Sequence, residues 1–136
     1  MQQNTEKGFR LHTCAQRDER DQPSYEQAGK MKYHHLGIPT KSPKDGETYL
    51  QQYDVSCTDH ESNPFGIQWM RYGKKCPLPK LVQEVAHVAF EVENLDEAIR
   101  GKEVIIEPNS PSEGVRVAFI KENGAPVELL EFTDKK

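Results

Sequence analysis

The segment that decides the fold runs from Val85 to Val92 and reads VAHVAFEV. Its length and apolar content predict a β-strand, in which successive side chains point to opposite faces of a sheet. One face is mixed and the other is apolar, with His87, Ala89 and Glu91 on the first and Val88, Phe90 and Val92 on the second. We expect the apolar face to pack beneath a helix.

The residues after this strand complete a β-α-β-β-β order. A short helix is predicted for LDEAIRG (95–101), because Asn94 can cap its start and Gly101 can stop it. The pattern then predicts a strand in EVIIEP (103–108), a loop in NSPSEG (109–114), and strands in VRVAFIK (115–121) and APVELLEF (125–132). The last two strands flank Asn123-Gly124, a strong hairpin signal.

The first half of the chain carries weaker strand signals. Strands are predicted at YHHLGIPT (33–40), around 50–58 and at 66–72, with a loop at KSPKDG and a linker at Pro77 and Pro79. HLGIPT aligns with HVAFEV 52 residues later, and this period matches the length of one such unit. We therefore divide residues 31–136 into modules of about 31–80 and 81–136.

Residues 1–30 differ in composition from the rest. They hold seven apolar residues, no Val or Ile, and five positive against five negative side chains. Such a segment buries too little surface to offset its ordering entropy, so we predict a polar, mobile extension. The alternative is a short helix or strand that docks on a partner subunit.

Charge and composition exclude several classes. The net charge is −4, which disfavours a nucleic-acid partner. No apolar run is long enough for a membrane span, and the first ten residues lack the apolar core of a secretory signal. Three cysteines are too few for a disulfide scaffold, so we expect a cytoplasmic protein.

Three stretches, HHLGIPT (34–40), AHVAFEV with LDEAI (86–99), and NGAPVELLEF (123–132), resemble the vicinal oxygen chelate superfamily. That superfamily includes glyoxalase I, extradiol dioxygenases, and bleomycin- and fosfomycin-resistance proteins. The resemblance covers about residues 31–134. It implies an α+β fold of two β-α-β-β-β modules, the first one reduced, whose mixed sheet curls around a cavity. It also implies a homodimer.

The resemblance further implies a divalent metal held by side chains that point into the cavity. Carried over by position, the ligands are His35, His87 and Glu128, with Gln68 at the place where glyoxalase-like members have a further Glu. Ligand chemistry supports this set, because two imidazoles and a carboxylate suit Zn, Fe, Mn, Co or Ni. Three ligands leave positions for a substrate with two neighbouring oxygens. Glu128, or a metal-bound hydroxide, would act as the base.

Other residues are weaker candidates. His34 and His35 are adjacent in a predicted strand, so we expect only one, His35, to face inward. Substrate contacts are predicted for Trp69, Met70, Glu91 and Arg116, although each also fits a core or surface position. Cys57, His60 and Cys76 have partial zinc-like spacing and would need Cys14 or His12 to complete it. A single cysteine nucleophile is a further alternative.

Three functions follow from these observations. The first is a glyoxalase-like, metal-dependent enzyme that acts on a small oxygen-chelating molecule by isomerase, lyase or transferase chemistry. The second is a metal-free protein of the same fold that binds or sequesters a small molecule. The third is a regulatory subunit that uses residues 1–30 to hold a partner. The first function requires two histidines and a glutamate that bind a metal, whereas the second function does not.

Overall fold

Two antiparallel strands, β1 (Met31–Pro39) and β5 (His87–Val92), run through the middle of one eight-stranded mixed sheet. The computed structural model describes residues 31–134, so the predictions for residues 1–30 lie outside the described residues. The remaining strands are β2 (Thr48–Leu50), β3 (Val55–Cys57), β4 (Ile67–Tyr72), β6 (Glu103–Ser112), β7 (Val115–Glu122) and β8 (Ala125–Phe132). The helices are α1 (Lys80–Glu84) and α2 (Leu95–Ala98), with 3-10 turns at Gln51–Tyr53 and His60–Ser62.

The strand order is β2-β3-β4-β1-β5-β8-β7-β6. In each half, the last strand returns to lie parallel to the first, and the other two strands follow it outward. The halves therefore repeat one topology about an approximate two-fold axis between β1 and β5. The sheet curls into a half-barrel with few helices, which confirms the predicted α+β architecture.

The apolar side of β5 packs beneath α2, as predicted from its alternation. Val92 and Leu95 join a buried cluster with Ala118, Ile120 and Leu129. The helix starts as expected, because the Asn94 side chain accepts a hydrogen bond from the Glu97 N–H at 3.0 Å. It ends at Ala98, and a further turn leads to Gly101, which takes a positive φ of 76°. Because α2 covers this face of the sheet, only the opposite face is left to line a cavity.

The first half has no helix corresponding to α2 within residues 40–47. Polar contacts fill that place instead. Arg71 donates two hydrogen bonds, of 2.7 and 2.9 Å, to the Glu47 carboxylate, and the Lys44 ammonium lies 4.4 Å from the centre of the Trp69 ring. The first module is therefore smaller than the second, as predicted, because a loop replaces its helix. Side chains of β4 bind this loop.

Two sequence-based boundaries were wrong. The run predicted around 50–58 is a hairpin of two short strands, because Asp54 turns the chain with a positive φ of 50°. The loop predicted at 109–114 continues β6 to Ser112, and Pro108 and Pro111 are tolerated because β6 is an edge strand. The linker predicted at Pro77 and Pro79 is present, and it leads into a short helix that was not predicted, α1, whose Val82 is buried. Within residues 31–134, no helix is long and apolar enough to cross a membrane.

Candidate metal centre

His35 and His87 are related by the repeat, and each lies opposite a small residue of the other central strand. His35 pairs with Ala89, and Gly37 pairs with His87. The two imidazole centroids are 5.4 Å apart, and the ring planes are nearly perpendicular. Because Gly37 and Ala89 occupy so little space, both buried imidazoles fit side by side on the concave face of the sheet.

Glu128 joins the two histidines from the neighbouring strand β8. It is the register partner of Ala89, so it lies on the same row of the sheet as His35. Its Oε1 atom is 3.2 Å from His35 Nε2 and 3.1 Å from His87 Nε2. One donor atom from each of the three residues lies within 4.8 Å of the other two. Three strands thus bring three ligand atoms to one point.

The charge of Glu128 is stabilised by these neighbours. Burial alone would raise its pKa, but the imidazoles of His35 and His87 outweigh burial and lower the pKa of Glu128 to about 2. A carboxylate with this pKa is ionised throughout the neutral range. It suits a permanent metal ligand better than a general base, whose pKa should lie near the working pH.

His87 provides the test of whether a metal fits here. Its side chain is almost fully buried, yet neither ring nitrogen makes a hydrogen bond within residues 31–134. The contact of Nε2 with Glu128 is short but not directed along an N–H bond. Unpaired buried polar atoms are costly, and a cation between the three donors would satisfy Nε2 and balance the carboxylate. The donor set fits a first-row divalent ion.

Gln68 occupies the position in the first half that Glu128 occupies in the second. It pairs with Gly37 in the parallel β1–β4 ladder, as Glu128 pairs with Ala89 in the β5–β8 ladder. Its side chain lines the same cavity. Its amide oxygen is a neutral donor, so this site carries one carboxylate where a symmetric site would carry two.

His34 also lies in the cavity, and the expectation that only one of the paired histidines faces inward was wrong. A β-bulge shifts the register between Tyr33 and His35, which breaks the strict alternation of side chains. The Nδ1 atoms of His34 and His35 are 2.8 Å apart, and the His34 ring lies 4.4 Å from that of His60. Burial, followed by the charges of His35 and His60, lowers the pKa of His34. Sequence periodicity carried no sign of this bulge.

The site opens into a cavity of about 260 Å³. Besides the four histidines, Gln68 and Glu128, its walls are mostly apolar and come from both halves: Leu50, Tyr53, Val55, Cys57, Met70, Tyr72, Leu78, Val82, Ile106, Asn109, Pro111, Val117 and Phe119. The Tyr53 hydroxyl donates to Asn109 Oδ1 at 3.4 Å and joins the two halves. None of these described lining residues is Lys or Arg.

The four residues predicted to contact substrate divide into two groups. Met70 lines the cavity, whereas Trp69, its neighbour on β4, points to the opposite face and lies under Lys44. Arg116 pairs with Asp96 and Glu131 and lies outside the cavity lining. Glu91 is half-buried and also outside the lining, but its charge acts to raise the pKa of His34.

The alternative cysteine sites gain little from the structure. Among residues 31–134, only His35, His87 and Glu128 bring three metal-ligating atoms together, so Cys57, His60 and Cys76 do not form such a group. Cys14 and His12 lie outside the described residues. Burial raises the pKa of both Cys57 and Cys76, which keeps their thiols protonated and weakly nucleophilic.

Comparison with known proteins identifies the fold. No protein-family model matches the chain, and no curated protein matches it. A hypothetical protein from Bacillus halodurans C-125 has a similar solved structure, with a TM-score of 0.61 and 23% identity, covering 78% of this chain and 97% of that one. Methylmalonyl-CoA epimerase from Mycobacterium tuberculosis matches with a TM-score of 0.52 and 17% identity, covering 74% and 87%. With the curled sheet, these similarities support a vicinal oxygen chelate-like fold.

Proposed function

We propose that this protein is a glyoxalase-like, metal-dependent enzyme in which His35, His87 and Glu128 hold one divalent transition-metal ion. The observation that carries the proposal is the convergence of two imidazole nitrogens on one buried carboxylate oxygen, at 3.1 and 3.2 Å. Within residues 31–134 the Nε2 atom of His87 has no hydrogen-bond partner, and a bound cation would satisfy it. The similarity to a solved epimerase supports an enzyme of this fold, while the reaction itself belongs to the proposal.

The chain supplies a rigid and partly enclosed place for chemistry. The three ligands lie on strands of one sheet, so their spacing is set by ladder register rather than by loop conformation. A bound ion would act as a Lewis acid toward a substrate with two neighbouring oxygens. The mostly apolar walls hold few groups that bind water, and a site with little water strengthens electrostatic interactions. Isomerase, lyase or transferase chemistry fits this arrangement.

The cavity walls narrow the class of substrate. A volume of about 260 Å³ lies below the range common for drug-sized ligands, so we propose a compact molecule. No Lys or Arg occurs among the described lining residues, which disfavours phosphate, phosphonate or nucleotide groups inside the cavity. Burial raises the pKa of Tyr72, so its hydroxyl stays neutral and serves as a hydrogen-bonding group. We propose a substrate with an apolar body and two adjacent oxygens at one end.

The same apolar walls favour the second function, a metal-free protein that binds or sequesters a small molecule. Such a protein would need the cavity but not the convergence of His35, His87 and Glu128. The two functions therefore differ in whether the protein holds a metal.

Elemental analysis of protein purified without a His tag distinguishes them. We expect about one transition-metal ion per chain, removed by a chelator and restored by reloading. The His87→Ala variant should lose the metal, whereas His60→Ala, another cavity histidine outside the ligand set, should retain it. Sub-stoichiometric metal in wild-type protein that cannot be reloaded would overturn the enzyme function and leave the binding function.

A further inference from the structure

We infer that His34 is a positioning residue that accepts a hydrogen bond from Nδ1–H of His35 and thereby aims the Nε2 lone pair of His35 at the metal position. The inference rests on the proposed function, because it assigns a role toward the same metal. It concerns a residue that the metal-ligand set itself does not include.

The contact is short and partly buried. The two Nδ1 atoms are 2.8 Å apart, and the rings meet edge to face, with centroids 5.0 Å apart and planes inclined at 73°. One of the two nitrogens must carry the proton, since two bare lone pairs at this distance would repel each other. The pair is therefore one N–H···N hydrogen bond.

Its direction follows from the other side of the His35 ring. His35 Nε2 is the atom that lies 3.2 Å from Glu128 Oε1 and belongs to the group of three donor atoms. A neutral imidazole that uses Nε2 as a ligand carries its proton on Nδ1. His35 Nδ1 therefore donates, and His34 Nδ1 accepts. Metal-bound histidines commonly donate their second nitrogen in this way, usually to a carboxylate, a backbone carbonyl or water.

The His34 ring is held in place by packing. It lies tilted against His60, at 4.4 Å between centroids, and against Phe132, at 5.7 Å. The β-bulge that turns His34 inward leaves the ring at the cavity edge, beside His35. The acceptor is thus fixed by its neighbours rather than free to rotate away.

The second histidine has no equivalent partner. The 52-residue repeat places Ala86 where the first half has His34, and His87 Nδ1 makes no hydrogen bond within the described part of the chain. The two ligands that the repeat relates are therefore supported differently. The hydrogen-bond partner of His35 therefore comes from the sequence of the first half, because the repeated topology does not supply one to His87.

The test compares two substitutions of similar shape. Asparagine at position 34 can offer an oxygen near the position of Nδ1, whereas leucine cannot accept a hydrogen bond. We expect His34→Leu to weaken Zn²⁺ binding by about 10- to 100-fold, measured by competition with a chromophoric chelator at pH 7.5. His34→Asn should restore most of that affinity. Equal Zn²⁺ affinities for the two variants would overturn the inference.

Two further measurements are needed. One distinguishes the hydrogen bond from ring packing, and the other distinguishes this inference from the proposed function. His60→Leu keeps the acceptor and still leaves an apolar side chain to pack on the His34 ring, so its Zn²⁺ affinity should fall much less than that of His34→Leu. An equal loss in His60→Leu and His34→Leu would show that ring packing, not the hydrogen bond, is responsible. Failure of wild-type protein to bind any metal would overturn the proposed function.

The hydrogen bond can also be observed directly by NMR in the Zn²⁺-loaded protein. ¹⁵N NMR of labelled wild type with Zn²⁺ bound should show a coupling between the Nδ1 atoms of His34 and His35, with the proton on His35. A proton found on His34 Nδ1 instead, or no coupling, would refute the inference while leaving the metal site itself intact.

Discussion

The imidazole of His87 lies directly over Gly37, its register partner on β1. A β-carbon at position 37 would collide with the ring and lie 2.6 Å from Nε2, the nitrogen proposed to bind metal. Glycine is therefore required here for the space that it leaves above the strand. The position of the second proposed metal ligand therefore depends on a residue that has no side chain.

Replacing Gly37 by Ala should displace the His87 ring and lower the affinity for metal. Overpacking of this kind typically costs about 1–3 kcal/mol of unfolding free energy. Denaturant titration measures the loss of stability, and chelator competition measures metal affinity. We expect both to fall together.

A double-mutant cycle supplies the control for Gly37→Ala. In a His87→Ala background the ring is gone, so adding Gly37→Ala should destabilise the protein much less than it does in wild type. If the two substitutions are additive, the collision with His87 is not the cause of the loss.

Changing Gln68 to Glu should affect the metal-free and metal-loaded proteins in opposite directions. A second carboxylate in the cavity that Glu128 also lines adds like-charge repulsion, so the metal-free variant should lose on the order of 1–3 kcal/mol of stability. With Zn²⁺ bound, the added charge should raise affinity at least about tenfold, because a unit charge at ligand distance is worth a few kcal/mol. Thermal melts with and without Zn²⁺ test both effects.

Gln68→Ala is the matched control, because it removes the amide without adding charge. Its metal-free form should not show the destabilisation caused by Gln68→Glu. A Gln68→Glu variant with unchanged Zn²⁺ affinity would show that position 68 does not reach the metal.

The pair of Glu47 and Arg71 should make stability depend on acid pH. The hydrogen bond from Arg71 lowers the pKa of Glu47 to about 2, from an ordinary value of 4.5. Because the folded pKa is the lower one, this stabilisation is complete above pH 4.5 and is lost as the pH falls towards 2. Unfolding free energy measured across this window should fall less steeply in Glu47→Gln than in wild type.

Glu103→Gln provides the comparison for this measurement. Glu103 forms an exposed surface pair with Lys121, 3.3 Å away, and such pairs contribute little. Its variant should follow the wild-type pH curve. A Glu47→Gln curve that also overlays wild type would mean that the bonded pair does not persist in solution.

Arg116→Ala should leave the cavity unaffected. Arg116 pairs with Asp96 and Glu131, and Glu131 in turn accepts a hydrogen bond from the Leu95 N–H at the start of α2. Its loss should slightly lower the melting temperature without changing Zn²⁺ affinity, measured on the same sample. A marked change in metal affinity would instead support the sequence-based expectation that Arg116 serves the site.

Local sequence patterns predicted the strands and helix of the second half well and those of the first half less well. The helix start at Asn94 and the hairpin at Asn123-Gly124 rest on contacts between nearby residues, and the strand at 87–92 was predicted from its local side-chain alternation. The hairpin of β2 and β3 and the extension of β6 were missed. Both depend on partners far along the chain, since Asp54 is also held by the Lys75 N–H and β6 tolerates prolines only as an edge strand.

The sequence by itself determined the repeated His-x-small pattern, because side-chain alternation in a strand is a local property that residue order specifies. It placed His35, His87 and Glu128 on strands and on their mixed faces. Only the tertiary structure decided that His35 meets Ala89 and Gly37 meets His87, because strand register is set by pairing between residues 50 and 54 positions apart. It also decided that His34 turns inward, since a bulge arises between two strands and is encoded in neither one alone.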